Sequence, residues 1–348
     1  MGNFGLGETM YEYREYLQMA MSPAGLTRQQ AEAAFGQIMD GAWTPVQIAG
    51  ILVAMAQRGE TVDEITGAAA AMRQRAVKVD AGGRDVIDTC GTGGTGLSTL
   101  NVSTAAAIVA AGAGACVAKH GNRTHTRASG SADVLMALGV NIEADERIVA
   151  RCLSEAGIGF CFAVRHHPAM KYAGPVRKEL GVRTVFNIIG PLTNPAGARR
   201  QLMGVFDGAL IETIAEVLKA LGAVRAIVVH ADDGLDEIST TSPTHLAELK
   251  DGQITSATIK PEDFGIKRAS LKDLEVKSAE ESAQRIRAVL EGKAGADRDI
   301  IVLNAAAALV VAGKVDTIAD GITAATDAID NGSAAKSLEK LIEISNSG

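Results

Sequence analysis

Four glycines fall within six residues, Gly91, Gly93, Gly94 and Gly96, with Thr92 and Thr95 between them. The apolar pair Val86-Ile87 precedes them, and Asn101-Val102-Ser103-Thr104 leads on into a run of alanines and valines. The order is strand, glycine loop, hydroxyl-rich helix start. Glycines let a backbone take positive φ and approach a ligand closely, and loop amides beside a helix N-terminus form an anion site. A phosphate or diphosphate cradle is one reading. A tight strand-to-helix turn is the other, because a glycine motif alone is unspecific. Ser103 and Thr104 likewise read as phosphate or magnesium ligands or as plain N-caps.

A second donor-rich stretch follows the next strand pattern. Lys119, His120, Gly121, Asn122, Arg123, Thr124, His125, Thr126 and Arg127 occupy nine consecutive positions, and a helix start at Ser129-Gly130-Ser131 comes next. Two such loops after successive strands suit a polyanion. His120 and His125 have no plausible third ligand for zinc. Further on, Asp232, Asp233, Asp236 and Glu237 put four acids in six residues. Beside a polyanion they suggest Mg2+, which takes one or two carboxylates together with phosphate oxygens and water. Leu235 and Ile238 predict partial burial for Asp236 and Glu237, which we assign to metal; Asp232-Asp233-Gly234 reads as a turn. Arg177 has the planar fork that grips a carboxylate, although spacing alone does not separate it from Lys178 or Arg183.

These side chains need a scaffold, and the chain of 348 residues has length for about two domains. Residues from 8 to about 78 read as wholly helical, with capping boxes at Thr27/Gln30, Thr44/Gln47 and Thr61/Glu64. Pro45 sits at a first helical position. The apolar residues of 46–55 predict a helix buried on more than one side. From Val86 strands and helices alternate, which implies a mostly parallel sheet. The expected strands are 86–89, 115–118, 159–163, 201–206 and 225–230, with a hairpin over 245–260 around Asp251-Gly252. The expected helices include 102–112, 131–138, 145–156, 168–180, 209–221, 279–291, 299–312 and 334–344. The fold class is therefore α/β. A small all-helical domain spans 1–80, with a helical contribution from about 168–195. A large domain spans 81–348, its central mostly parallel sheet flanked by helices.

Composition narrows the function. A net charge of −7 argues against a broad nucleic-acid surface, and no apolar run reaches membrane-spanning length. The four scattered cysteines form no C-x-x-C pair and read as buried free thiols in a reducing cytoplasm.

In their order, GTGG with NVST, KHGNR, GSADVL, HPAMK, PVRKELGVRTVFNIIGPLTNP and GLDEIS resemble the motifs of the anthranilate phosphoribosyltransferase family, over about residues 26 to 345. The resemblance implies Mg2+-dependent transfer of a phosphoribosyl group from phosphoribosyl diphosphate to anthranilate, the second step of tryptophan synthesis. It implies contacts to phosphoribosyl diphosphate from Gly91, Gly94, Thr95 and Thr99, and from Asn101, Val102, Ser103 and Thr104. It implies the same for Lys119, His120, Gly121, Asn122, Arg123, Thr124, His125, Thr126, Arg127 and Ser131. Anthranilate would meet Gly91, Asn122 and Arg177. Ser103, Asp236 and Glu237 would hold Mg2+, and Lys119 and Arg177 would serve catalysis. A homodimer through the helical domain follows from the same likeness. The chain departs from the pattern twice: Thr95 stands where the family mostly has an aspartate, and Thr126-Arg127 replaces a pair of serines. Both changes favour anion binding. The rival readings are a pyrimidine nucleoside phosphorylase and a non-catalytic relative that binds nucleic acid.

Overall fold

The computed structural model describes residues 11–123 and 130–347. The chain divides into two compact units, Met1–Ala76 with Pro168–Gly190, and Val77–His167 with Pro191–Gly348.

The first unit is helical: Tyr13–Met21, Arg28–Met39, Pro45–Arg58 and Val62–Arg75, joined by Met170–Leu180 and Phe186–Ile189. The three expected capping boxes are present at Thr27, Thr44 and Thr61, each hydroxyl accepting the amide three residues on. Glu64 does more than complete its box. Its carboxylate is fully buried, accepts the amides of Leu26 and Thr61, and takes both bonds from the Arg58 guanidinium at 2.6 and 2.7 Å. A carboxylate can be buried here because every side of it meets a donor. The helix Pro45–Arg58 departs from expectation. Ile48, Ile51, Leu52 and Met55 are buried, but Val46 and Val53, two turns apart on one face, are 80% and 44% exposed. Its apolar residues encircle the helix, and the neighbours within the unit cover only one side of it.

The second unit holds a seven-stranded sheet in the order β3-β2-β1-β4-β5-β6-β7. The strands are β1 (Val86–Gly91), β2 (Cys116–Gly121), β3 (Ile158–Phe162), β4 (Arg200–Gly204), β5 (Arg225–Ala231), β6 (Thr244–Lys250) and β7 (Gln253–Ile259). The first five in this order run parallel, and β6 and β7 form an antiparallel hairpin. Its turn is Asp251-Gly252, with φ of 51° and 74°, as a two-residue hairpin loop demands. Helices Val102–Gly112 and Ala296–Ala312 are buried almost all round and lie in the main core.

Two strands outrun their expected ends. β1 continues through Gly91, which pairs with Gly204, and β2 through Gly121, which pairs with Phe162. Pairing with a neighbour decides where a strand stops, and glycine does not prevent it. The helix expected from 168 begins at Met170, after a turn at Pro168-Ala169. The chain leaves β1 toward β2 and β3, then returns to β4 on the other side of β1. That reversal opens a crevice beyond the carboxyl ends of β1 and β4, where ligands of open α/β sheets bind.

In the helical unit, a Cβ on Gly67 would lie 2.3 Å from the carbonyl oxygen of Arg28, so helices Arg28–Met39 and Val62–Arg75 touch backbone to backbone. Gly67→Ala should cost about 1–3 kcal/mol through overpacking. Urea unfolding checks this, and an unchanged midpoint would disprove the close approach.

Candidate active site

The glycine loop leaves β1 at the crevice. Gly93, Gly94 and Gly96 take φ of 65°, 78° and 76°. Its base is pinned to β4: the Thr92 amide donates to the Gly204 carbonyl, and the Thr92 hydroxyl accepts the Phe206 amide, both at 2.9 Å. Asp236 reaches into this place from the segment after β5. The Gly93 amide donates to its Oδ2 at 3.0 Å. A Cβ on Gly91 would lie 2.5 Å from that same oxygen, and one on Gly204 only 1.7 Å from the Asp236 carbonyl oxygen. Gly91 and Gly204 therefore make the room that Asp236 occupies.

Beyond the loop, the Thr95 hydroxyl accepts the Leu97 amide at 3.3 Å. The next residues are held as an extended rung. Thr99 bridges Glu275, Leu100 donates to Leu274, Val276 donates to Ser98, and the Asn101 amide donates to the Ser282 hydroxyl. Helix Val102–Gly112 then begins at Asn101 with no side-chain cap, so its first-turn amides are not spent on a capping side chain. Ser103 and Thr104 are not its caps. The Ser103 hydroxyl accepts from the Lys119 ammonium at 3.3 Å, and the Thr104 hydroxyl is buried without a partner among the described residues.

Lys119 sits near the end of β2 and is 2% exposed. Its Nζ donates to the Thr89 carbonyl at 2.7 Å as well as to Ser103. Burial pulls its pKa down, while Asp88, Cys90 and Glu237 act to raise it. Asp88 is buried completely and accepts the His120 amide at 3.0 Å and the Asn194 side-chain amide at 2.8 Å. Burial pushes its carboxyl up to about 6 against the opposing pull of Lys119. The His120 ring turns inward, its Nε2 lying 3.2 Å from Nε2 of His167. Burial holds His167 down to about 4. A hydrogen bond between the two Nε2 atoms needs one to carry a proton and the other to be bare, while His167 Nδ1 is buried with no partner among the described residues.

Asn122 and Arg123 follow and are exposed. Arg123 lies over the Phe162 ring at 5.9 Å. The Ser131 hydroxyl donates to the Asn122 carbonyl at 3.3 Å, and a Cβ on Gly121 would meet that hydroxyl at 2.1 Å. Thr124, His125, Thr126 and Arg127 lie outside the described residues.

After β5 the acids separate as expected. Asp232 pairs with His245 at 2.8 Å. Asp233 accepts from the Ser239 and Thr241 hydroxyls and the Leu235 amide, which closes the turn. Asp236 is buried and Glu237 half-buried, with Leu235 and Ile238 buried around them. Among the described residues no three His, Cys, Asp or Glu side chains gather as a metal cage. Two hard carboxylates beside a hydroxyl-lined anion loop fit Mg2+, which keeps several positions for water and substrate oxygens. Arg177 belongs to the helical unit, on Met170–Leu180. Its guanidinium lies over the Phe186 ring at 5.3 Å, burial lowers its pKa, and no carboxylate pairs with it among the described residues. His167 and Asn194 fall within the family motifs, but the sequence reads no role for them and none for Asp88, since each acts through partners far away in the chain.

An α/β unit with a glycine-loop crevice, preceded by a helical bundle, is the architecture of a glycosyl transferase class. The glycosyl transferase family helical bundle domain matches residues 14–76, and the glycosyl transferase family a/b domain matches residues 83–335. The anthranilate phosphoribosyltransferase of Anaeromyxobacter sp. (strain K) is 54% identical over 320 residues, 91% of this chain and 94% of that protein. The structure of the Thermus thermophilus enzyme of the same name superposes with a TM-score of 0.91 at 40% identity, covering 95% of this chain and 99% of that one. The Saccharomyces cerevisiae enzyme, in complex with PRPP and Mg, superposes with a TM-score of 0.87 at 26% identity, covering 97% and 98%. The chain belongs to the anthranilate phosphoribosyltransferase family.

The depressed His167 has a consequence for stability. Its folded pKa of about 4 lies below the ordinary 6.5, so between these values the unfolded chain binds a proton that the folded chain refuses. Stability is full above about pH 6.5 and falls as pH drops, by up to about 1.4 kcal/mol per pH unit. Asp88 acts in the opposite sense, because its raised pKa favours the folded state at low pH. Comparing the parent with His167→Gln isolates the histidine. Urea unfolding from about pH 7 to about pH 5 should show the parent losing stability relative to the variant; parallel curves would refute a neutral buried His167.

Proposed function

We propose that this protein transfers the phosphoribosyl group of phosphoribosyl diphosphate to the amine of anthranilate, releasing N-(5-phosphoribosyl)anthranilate and diphosphate. The observation that carries the reading is the meeting of the Gly93 amide with Asp236 at the crevice. It supports the reading because it brings a glycine-loop amide onto one of the two carboxylates expected to hold metal. Asp236 and Glu237, with the Ser103 hydroxyl, would hold Mg2+, which when bound offsets the charge of the departing diphosphate. Lys119 adds a buried positive charge and the loop amides add donors. Gly91, Gly94, Thr95, Thr99, Asn101, Val102, Ser103 and Thr104, together with Lys119 to Arg127 and Ser131, would form the phosphoribosyl diphosphate contacts. Arg177 supplies the guanidinium for the carboxylate of anthranilate, and Gly91 and Asn122 are the further anthranilate contacts that the family resemblance implies. The unpaired, half-buried state of its guanidinium supports this, since a partly desolvated cation without a counter-ion favours an incoming carboxylate.

The reaction breaks the C1–O bond to diphosphate and forms a C1–N bond to an aromatic amine. The amine is nucleophilic as it stands, so catalysis rests on positioning and on stabilising the leaving charge, and no nucleophilic triad is needed. We further propose a cytoplasmic homodimer. Val46 and Val53 supply an apolar face on the helical unit, and all four cysteines are free thiols. Among the described residues no helix is long and apolar enough to cross a membrane.

Anthranilate fluorescence tests the whole reading: emission should fall when phosphoribosyl diphosphate and Mg2+ are added together, and steady emission would end it. Arg177→Ala should raise KM for anthranilate by about 10–100-fold, the worth of a lost charge-assisted pair. KM for phosphoribosyl diphosphate should barely move, and equal effects would sink the assignment. Asp236→Asn combined with Glu237→Gln should lower kcat/KM by at least about 10²–10³-fold. Turnover near that of the parent would remove the pair from the metal site.

A further inference from the structure

Helix Ala296–Ala312 is buried from Ile300 to Val311, and Asn304 is the only polar side chain in that run. A buried amide in such a place is costly unless each polar atom is satisfied. Asn304 satisfies all of them. Its Oδ1 accepts the Ile238 amide at 2.9 Å, and its Nδ2 donates to the Ile238 carbonyl at 2.8 Å and to the Ile300 carbonyl at 2.9 Å. The pair of bonds to Ile238 resembles one rung of a sheet, made by a side chain. Only one orientation of the amide serves these partners, because the N–H of Ile238 needs an oxygen and the two carbonyls need the nitrogen.

The clamped residue matters because of its neighbour. The Ile238 amide belongs to the peptide that joins it to Glu237, so holding that group fixes the peptide plane from which the Glu237 side chain departs. On the other side Asp236 is fixed by the Gly93 amide and by the close approach of Gly204. Farther up, Asp233 closes the turn through Leu235, Ser239 and Thr241. Asn304 is thus the hold on the downstream end of the acidic segment, and it comes from a helix 66 positions away in the chain.

We propose that Asn304 is a positioning residue for the carboxylate pair, and that it tunes the Mg2+ dependence of phosphoribosyl diphosphate binding. The inference rests on the reading of Asp236 and Glu237 given above. Partners that orient metal ligands commonly carry about 10–100-fold in metal affinity.

Calorimetric titration of phosphoribosyl diphosphate into the full chain, without anthranilate and over a series of Mg2+ concentrations, reads this without turnover. In the parent, affinity should rise with Mg2+. In Asn304→Ala the midpoint of that rise should move about 10–100-fold toward higher Mg2+, while Mg2+-free affinity stays as in the parent. If Asn304→Ala does not fold, Asn304→Ser, whose hydroxyl can keep one bond to Ile238, should show a smaller shift in the same direction. A folded variant that responds to Mg2+ as the parent does overturns the inference and leaves the functional reading standing. A parent whose binding ignores Mg2+ overturns both.

Discussion

Two neighbouring strand ends without side chains decide what this crevice can hold. Gly91 on β1 and Gly204 on β4 pair with each other, and each faces Asp236 at a distance that a Cβ could not share. The third chain segment therefore comes up against the sheet where the topology reverses. Its carboxylate can then accept a bond from the very loop that would cradle a phosphate. A methyl group at either position would displace Asp236, and with it the junction of anion loop and acidic segment. Glycine here serves close approach at Gly91 and Gly204, and positive φ at Gly93, Gly94 and Gly96.

Around that junction the unit buries ionisable groups in an ordered way. Lys119 and Asp88 are both out of water, and each moderates the other's cost of burial. Asp88 ties the backbone of β2 to Asn194, while the His120 and His167 rings face each other and burial holds His167 down. The result is a rigid floor beneath the start of the second donor stretch. Rigid, preorganised donors suit a reaction that asks for charge stabilisation at a leaving group. Arg177, in the helical unit, is the opposite case: a cation stacked on an aromatic ring and left without an acid.

Much of this was legible in the sequence where the signal is local. Thr27, Thr44 and Thr61 each announce a helix through a residue three positions on, and each box forms. Asp251-Gly252 announces a two-residue hairpin turn, and the turn forms. The apolar Leu235 and Ile238 pointed to partial burial of Asp236 and Glu237, and these are buried and half-buried, while Asp232 and Asp233 sit in surface and turn pairs. Local reading failed where a partner far along the chain decides. Of the two readings of Ser103, cap or ligand, local sequence did not choose, and the structure shows no cap but a bond from Lys119. β1 and β2 run on through glycine because neighbouring strands pair with them. The helix Pro45–Arg58 looked buried on several sides, yet Val46 and Val53 face out.

By itself the sequence determined the helix starts, the hairpin turn, the alternation that makes a parallel sheet, and the donor-rich and acidic segments whose motifs mark the family. Each of those depends on residues within a few positions of one another. Only the tertiary structure decided that Gly91, Gly93, Gly204 and Asp236 share one place, and that Asp88, Asn194, His167 and Asn304 support it. Such residues gain their meaning from burial beside partners tens of positions away. Burying a polar group costs least where such distant partners meet its hydrogen bonds.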